Sequence, residues 1–146
     1  MYNSRGRQSN PNVSLGEDEK NTISHIILDS YAADALVKYA DNLGEQLKQE
    51  NLKASQIRAI FDEVRQIEAV WLQDEEKALY KVHLLKPKLA YRAARSADGV
   101  PRLKEVLTLA IDHIVEDPQQ AKDRFHRFTQ FFEAIIAYHK AHGGED

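Results

Sequence analysis

Lysine and arginine set at helical spacing, with no carboxylate between them, make a chemistry of anion binding. Residues 86–95 hold such a set: Lys86-Pro-Lys-Leu-Ala-Tyr-Arg-Ala-Ala-Arg95, four cations among small and apolar residues. Taken as a helix over 88–97, the stretch places Lys88, Arg92 and Arg95 at i, i+4 and i+7, on one face. Arginine suits phosphate because its planar fork meets two oxygens at once. Tyr91 lies beside the stripe, where its ring either stacks on a base or sugar or packs within the fold. Ala90, Ala94 and Ala97 fall on another face, small enough to admit a neighbouring helix, and Leu85 and Leu89 supply the apolar anchor. A solvated helix face normally interleaves the two signs. Two readings of the stripe therefore stand: it holds phosphates, or it pairs with acids on other helices, such as those in 112–117.

A weaker cationic set opens the segment Leu52-Lys-Ala-Ser-Gln-Ile-Arg58. Lys53 and Arg58 sit at the start of a helix, whose positive end favours anions. A plain capped helix start is the alternative. Arg65, two turns on, extends the face of Arg58.

Nucleophile and metal motifs are missing from the sequence. It has no Gly-rich phosphate loop, no Gly-x-Ser-x-Gly and no His-Glu-x-x-His. His139 and His142 stand three apart and would need further ligands to hold a metal; a surface or interface pair is the simpler account. The acidic runs Asp74-Glu75-Glu76 and Glu17-Asp18-Glu19 read as solvated surface rather than a catalytic dyad. No cofactor and no metal are expected, and no enzyme.

These residues have to be positioned by something, and the pattern that positions them is helical. A chain of 146 residues with 42% hydrophobic and 29% charged residues is expected to form one globular domain. It has no cysteine, which excludes disulfides and thiolate ligands and makes a reducing cytoplasm its expected home. No apolar run approaches the length of a membrane span, and the start has no signal-peptide pattern. The formal net charge of −3 would not suggest a nucleic-acid partner. Yet residues 86–104 carry six cations against the single acid Asp98, and local charge governs local affinity.

Residues 1–22, rich in Asn, Ser, Gly and Arg and then acidic, have no apolar period and are expected to be a disordered tail, with Arg5 and Arg7 free to graze a partner. Residues 23–146 are expected to form a single all-α bundle of about five helices. The first spans about residues 30–50, with Gly44 a soft point costing on the order of 1 kcal/mol against alanine. A second begins near Ser55 as N-cap and carries Ile57, Ile60, Val64, Ile67 and Trp71 inward. A third covers about 75–97; Pro87 is expected to kink it or to start a new helix, leaving Lys86 and Lys88 beside an irregular turn. Asp98-Gly99 ends it and Pro101 opens a fourth. The last starts with Asp117 as N-cap and Pro118 at the first position, and stops at Gly143-Gly144. Phe125, Phe128, Phe132, Ile135 and His139 form one stripe on it, and Phe131, Ala134, Tyr138 and Ala141 another. A helix apolar on two sides is either central in the bundle or set at a subunit interface.

Three segments in order, Leu52-Lys-Ala-Ser-Gln-Ile-Arg58, Lys86-Pro-Lys-Leu-Ala-Tyr-Arg-Ala-Ala-Arg95 and Phe132-Glu-Ala-Ile-Ile-Ala-Tyr-His-Lys-Ala-His-Gly-Gly144, resemble the small helical subunit of the type III-A CRISPR (Csm) interference complex. The resemblance covers about residues 28–146. It implies a non-catalytic subunit, stacked head to tail in several copies beside the backbone subunits and the large subunit, along a ridge where guide CRISPR RNA and target RNA lie. It also implies RNA contacts from Arg58, Lys86, Lys88, Arg92 and Arg95, with Tyr138 and Lys140 as packing and interface positions. Lys53, Arg65 and Tyr91 join the candidate RNA-binding residues from the pattern alone. A subunit that must accept any target needs contacts to phosphate and sugar, not to bases. The rival readings are an RNA-free helical adaptor docking a protein through its last helix, a small metal-dependent helical enzyme, and the small subunit of a type III-B complex.

Overall fold

Apolar residues recurring every three to four positions fold this chain into helices throughout. The computed structural model describes residues 13–146; the expected tail residues up to 12, Arg5 and Arg7 among them, lie outside the described residues. The described chain is α1 (Glu17–Leu28), α2 (Ala33–Gln49), α3 (Ala54–Trp71), α4 (Glu75–Arg95), α5 (Val100–Val115) and α6 (Ala121–Ala141). No strand occurs among the described residues.

The helix beyond the expected five is α1. It begins at Glu17, inside the stretch read as tail. The acidic run, at the surface as expected, is its first turn, where negative charge complements the helix dipole. Ile23, Ile26 and Ile27 are buried, and Tyr39 of α2 donates to Glu19 at 3.1 Å, tying the two helices together.

Three further expectations change along the helices. The N-cap of α3 is Lys53, not Ser55; its N–H donates to Gln56 Oε1 at 3.0 Å. Helix α4 runs through Pro87 as one element, with no restart. Pro87 and His83 both face solvent, so water can satisfy the carbonyl that proline leaves without a donor. Helix α6 starts at Ala121, because Asp117 closes a tight turn instead, accepting from Gln119 N at 3.2 Å on its side chain and from Gln120 N at 3.0 Å on its carbonyl. Gly99 enters α5 at φ +77°, a left-handed conformation that glycine adopts without strain.

Helix α6 packs against α1, α2, α3 and α5, which makes it the centre of the bundle. Phe125, Phe128, Phe131 and Phe132 are all fully buried. A relay of ring contacts runs from Trp71 to Phe125 (5.9 Å), Phe128 (5.7 Å), Phe132 (6.2 Å) and Phe61 (5.1 Å). Both apolar stripes are thereby engaged within the chain, although the second opens to solvent at Ala141. Gly44 is where α2 meets this centre. A Cβ there would stand 2.7 Å from His139 N and 2.8 Å from the Tyr138 carbonyl carbon. The residue read as a soft point is a close-approach point. Helix α4 is peripheral, laid mainly on α3 and α5, with Glu75 at its start 3.9 Å from Lys122 of α6, and its exposed flank carries the basic stripe.

Candidate nucleic-acid interface

Helices α3 and α4 leave a groove of about 660 Å³ between them, lined by Lys88, Tyr91, Arg92 and Arg95 of α4 and by Gln56, Ile60 and Glu63 of α3. It continues along the same helix pair as a second depression of about 290 Å³, sharing Glu63 and Lys88 and adding Lys77 and Lys81. The two together make one track in which five cations face a single carboxylate. Lys77 to Arg95 spans roughly 27 Å at 1.5 Å per residue.

The stripe does not stand unpaired, because α3 supplies an acid. Glu63 Oε1 accepts from Arg92 at 3.0 Å, and Lys88 Nζ lies 3.4 Å from Glu63 Oε2. That second approach lacks hydrogen-bond geometry, and Oε2 is otherwise without a partner. Arg95 has no acid within reach among the described residues; it donates to Tyr91 Oη at 3.0 Å, with its guanidinium carbon 5.6 Å from that ring's centre. Tyr91 is 62% exposed, so ring and guanidinium form an open, flat platform. Lys77 and Lys81 have no acidic partner among the described residues. Glu63 is only 25% exposed and its Oε2 is buried, so a phosphate that takes Arg92 has to compete with this carboxylate for the guanidinium.

The remaining expected residues lie elsewhere. Lys86 points away from the track toward α5 and pairs with Asp112 at 2.5 Å, the acid region anticipated as its alternative partner. Arg65 does share the α6-facing side of α3 with Arg58, but it pairs with Glu68 at 3.1 Å and lies over Phe61 in a different groove, between α3 and α6. Lys53 and Arg58 meet the last residues of the sequence: Lys53 Nζ is 3.9 Å from Glu145, and Arg58 donates to Asp146 at 2.9 Å. Ala90, Ala94 and Ala97 are exposed and receive no helix; Ala93 is the alanine packed on the core, beside Leu85 and Leu89. Lys77, Lys81 and Glu63 were missed. Lys77, Lys81 and Lys88 repeat at steps of four and seven, a signal that the expected break at Pro87 cut in two.

The histidines have no common task. His139 is buried with its Nε2 2.7 Å from the Leu52 carbonyl, and His142 Nε2 lies 2.6 Å from Asp41 Oδ1. No group of three or more metal-ligating side chains occurs among the described residues. No helix there is long and apolar enough to cross a membrane.

No curated protein and no solved structure matches the chain. One family model, described as Csm2 Type III-A, matches residues 30–145, from the end of α1 through all five helices that follow. The match embraces the α3–α4 track and the segment beyond α6, and it selects the type III-A rather than the type III-B assignment. The chain belongs to the Csm2 type III-A family, the small subunit of the type III-A CRISPR complex.

Proposed function

We propose that this chain is a non-catalytic, RNA-contacting subunit of that complex, present in several stacked copies and acting in antiviral defence in the cytoplasm. The α3–α4 track takes the backbone of guide or target RNA. One observation carries this reading: Lys77, Lys81, Lys88, Arg92 and Arg95 line one continuous groove that holds a single carboxylate. Cations in a row with one aromatic platform suit phosphates and a stacked base or sugar, and they read no sequence. If four of the five cations meet phosphates, affinity falls about 50-fold between 50 and 200 mM salt, from a slope near −0.7 per contact on a single strand. One copy therefore binds weakly, and copies repeated along one strand supply the avidity.

The test is R92E/R95E in the reconstituted complex. Target RNA retention is expected to fall, with helical circular dichroism preserved, while Lys86→Glu, which faces α5, leaves retention near that of the unaltered subunit. Loss of the helical signal in R92E/R95E would make the stripe structural. Undiminished retention with a folded subunit would favour the adaptor reading, in which Glu63 simply neutralises its neighbours.

A further inference from the structure

A second cationic cluster lies on the other flank of α3, and the chain itself occupies it. After α6, Gly143 turns the backbone at φ +95°, and Gly144 seats so tightly on the His139 ring that a Cβ there would come within 2.1 Å of it. The backbone is fastened at two points: Gly144 N donates to His139 O at 2.8 Å, and Ala54 N, at the start of α3, donates to Glu145 O at 2.7 Å. These bonds deliver two carboxylates to a patch of four cations. Lys53 lies 3.9 Å from Glu145 and Arg58 donates to Asp146 at 2.9 Å. Lys48 lines the same small cavity as Lys53 and Glu145. The hydrogen bond from Arg58, and then the charge of Lys140, hold the Asp146 carboxyl below its usual range. Both carboxylates are nonetheless open to solvent, with side chains 81% and 69% exposed. They are anchored through backbone and held only by surface charge.

We propose that Glu145 and Asp146 are internal stand-ins for phosphate at this cluster, and that an RNA phosphate binds Lys53 and Arg58 only by displacing them. The cluster is then a second, self-covered backbone contact, separate from the α3–α4 track. The inference rests on the reading of the chain as an RNA-contacting subunit. Displacement needs only the two side chains to turn away, since the bonds through Gly144 and the Glu145 carbonyl persist. The acidic pair also suppresses attachment of the free subunit to unrelated RNA, because a lone copy must break these contacts without the help of its neighbours.

The experiment is fluorescence anisotropy of the full chain with a labelled, mixed-sequence single-stranded RNA across a salt series. E145Q/D146N is expected to bind about 5-fold more tightly, with a salt slope steeper by about 1.4, from two further phosphates at about 0.7 each. Arg58→Gln added to that variant is expected to remove most of the gain. The backbone bonds survive these substitutions, so helical content should not change; Asp146→Asn alone repeats the test with the shorter contact. Unchanged affinity and slope in E145Q/D146N overturn the inference, as does a gain that persists after Arg58→Gln. R92Q/R95Q, measured alongside, separates the two readings. A loss there with no gain from E145Q/D146N overturns this inference and leaves the track standing. A gain that Arg58→Gln removes upholds it whatever the track variant does.

Discussion

Gly44→Ala sets two effects of opposite sign against each other, and the structure decides between them. In the middle of α2, alanine is the better helix former by about 1 kcal/mol, so propensity alone raises stability. The new Cβ, however, would lie 2.7 Å from His139 N and 2.8 Å from both the carbonyl carbon and Cβ of Tyr138. The two nearest of these are backbone atoms of the central helix and cannot rotate away. Restoring an ordinary contact requires α2 and α6 to part by several tenths of an ångström. Overpacking of this kind costs about 1–3 kcal/mol, and the rigidity of the partner places it in the upper half of that range. The net expectation is a loss of about 1–2 kcal/mol, a fall in Tm of roughly 3–10 °C for a chain of this size. The strain falls next to the His139 contact with the Leu52 carbonyl, which sets the entrance of α3, so the anion cluster at Lys53 and Arg58 should loosen as well. Urea unfolding followed by circular dichroism measures the change. A Gly44→Ala variant as stable as the parent, or more so, would refute the close-approach argument and return Gly44 to a merely soft point in α2.

Three other outcomes follow from the track and from the α1–α2 contact. Glu63→Gln removes the one carboxylate of the track; a charge roughly 6 Å from a bound phosphate repels it by about 0.7 kcal/mol in water, so RNA affinity in anisotropy should rise about 3-fold, and a decrease would mean that Glu63 positions Arg92 rather than masks it. K77Q/K81Q should flatten the salt slope by about 1.4, because two phosphates no longer meet a cation, while Lys86→Gln leaves it within error; equal slopes for both would remove Lys77 and Lys81 from the track. Burial first, and then the charge of Glu19, push the Tyr39 hydroxyl well above its ordinary 10.0. Its neutral form is favoured in the folded state, so this contribution is full below pH 10 and is lost as pH rises beyond it. Tyr39→Phe should therefore flatten the alkaline limb of stability against pH, and an unchanged limb would remove Tyr39 as its source.

Periodicity alone makes most of the bundle legible. The stripes of α2 to α6 and the core role of Trp71 follow from spacing, which left the aromatic last helix either central or at an interface; its packing on α1, α2, α3 and α5 makes it central. What escaped was of three physical kinds. The first turn of α1 is all acid and looked like a tail, because charge there serves the helix dipole while the buried Ile23, Ile26 and Ile27 come only later. Pro87 argued for a break, since local rules count the lost hydrogen bond; with His83 facing water that bond has a substitute, and the helix continues. The third kind is tertiary: no spacing reveals that Glu63 reaches Lys88 and Arg92, that Asp112 takes Lys86, or that residues 145–146 fold back onto α3. The sequence marks cations, but it does not say which are already engaged.

That engagement reconciles an acidic chain with the proposed RNA-facing role. Each cationic site flanking α3 is held by carboxylates of the same chain, Glu63 in the track and Glu145 with Asp146 at the cluster. The exposed pairs at the cluster contribute little to stability, yet a phosphate that binds any of these paired cations must displace its carboxylate. Under the proposed function, a single copy covered in this way is expected to have low affinity for RNA in general, in keeping with a net charge of −3. On that reading Lys77, Lys81 and Arg95, which have no acid beside them among the described residues, would make the first contact; Lys88, Arg92, Lys53 and Arg58 would add theirs only where a strand is held in place long enough to exchange carboxylate for phosphate. A strand held by the proposed neighbouring copies would meet that condition, and a strand met in free solution would not. Discrimination would then arise from the order of contacts and from repetition along the strand, without any base being read.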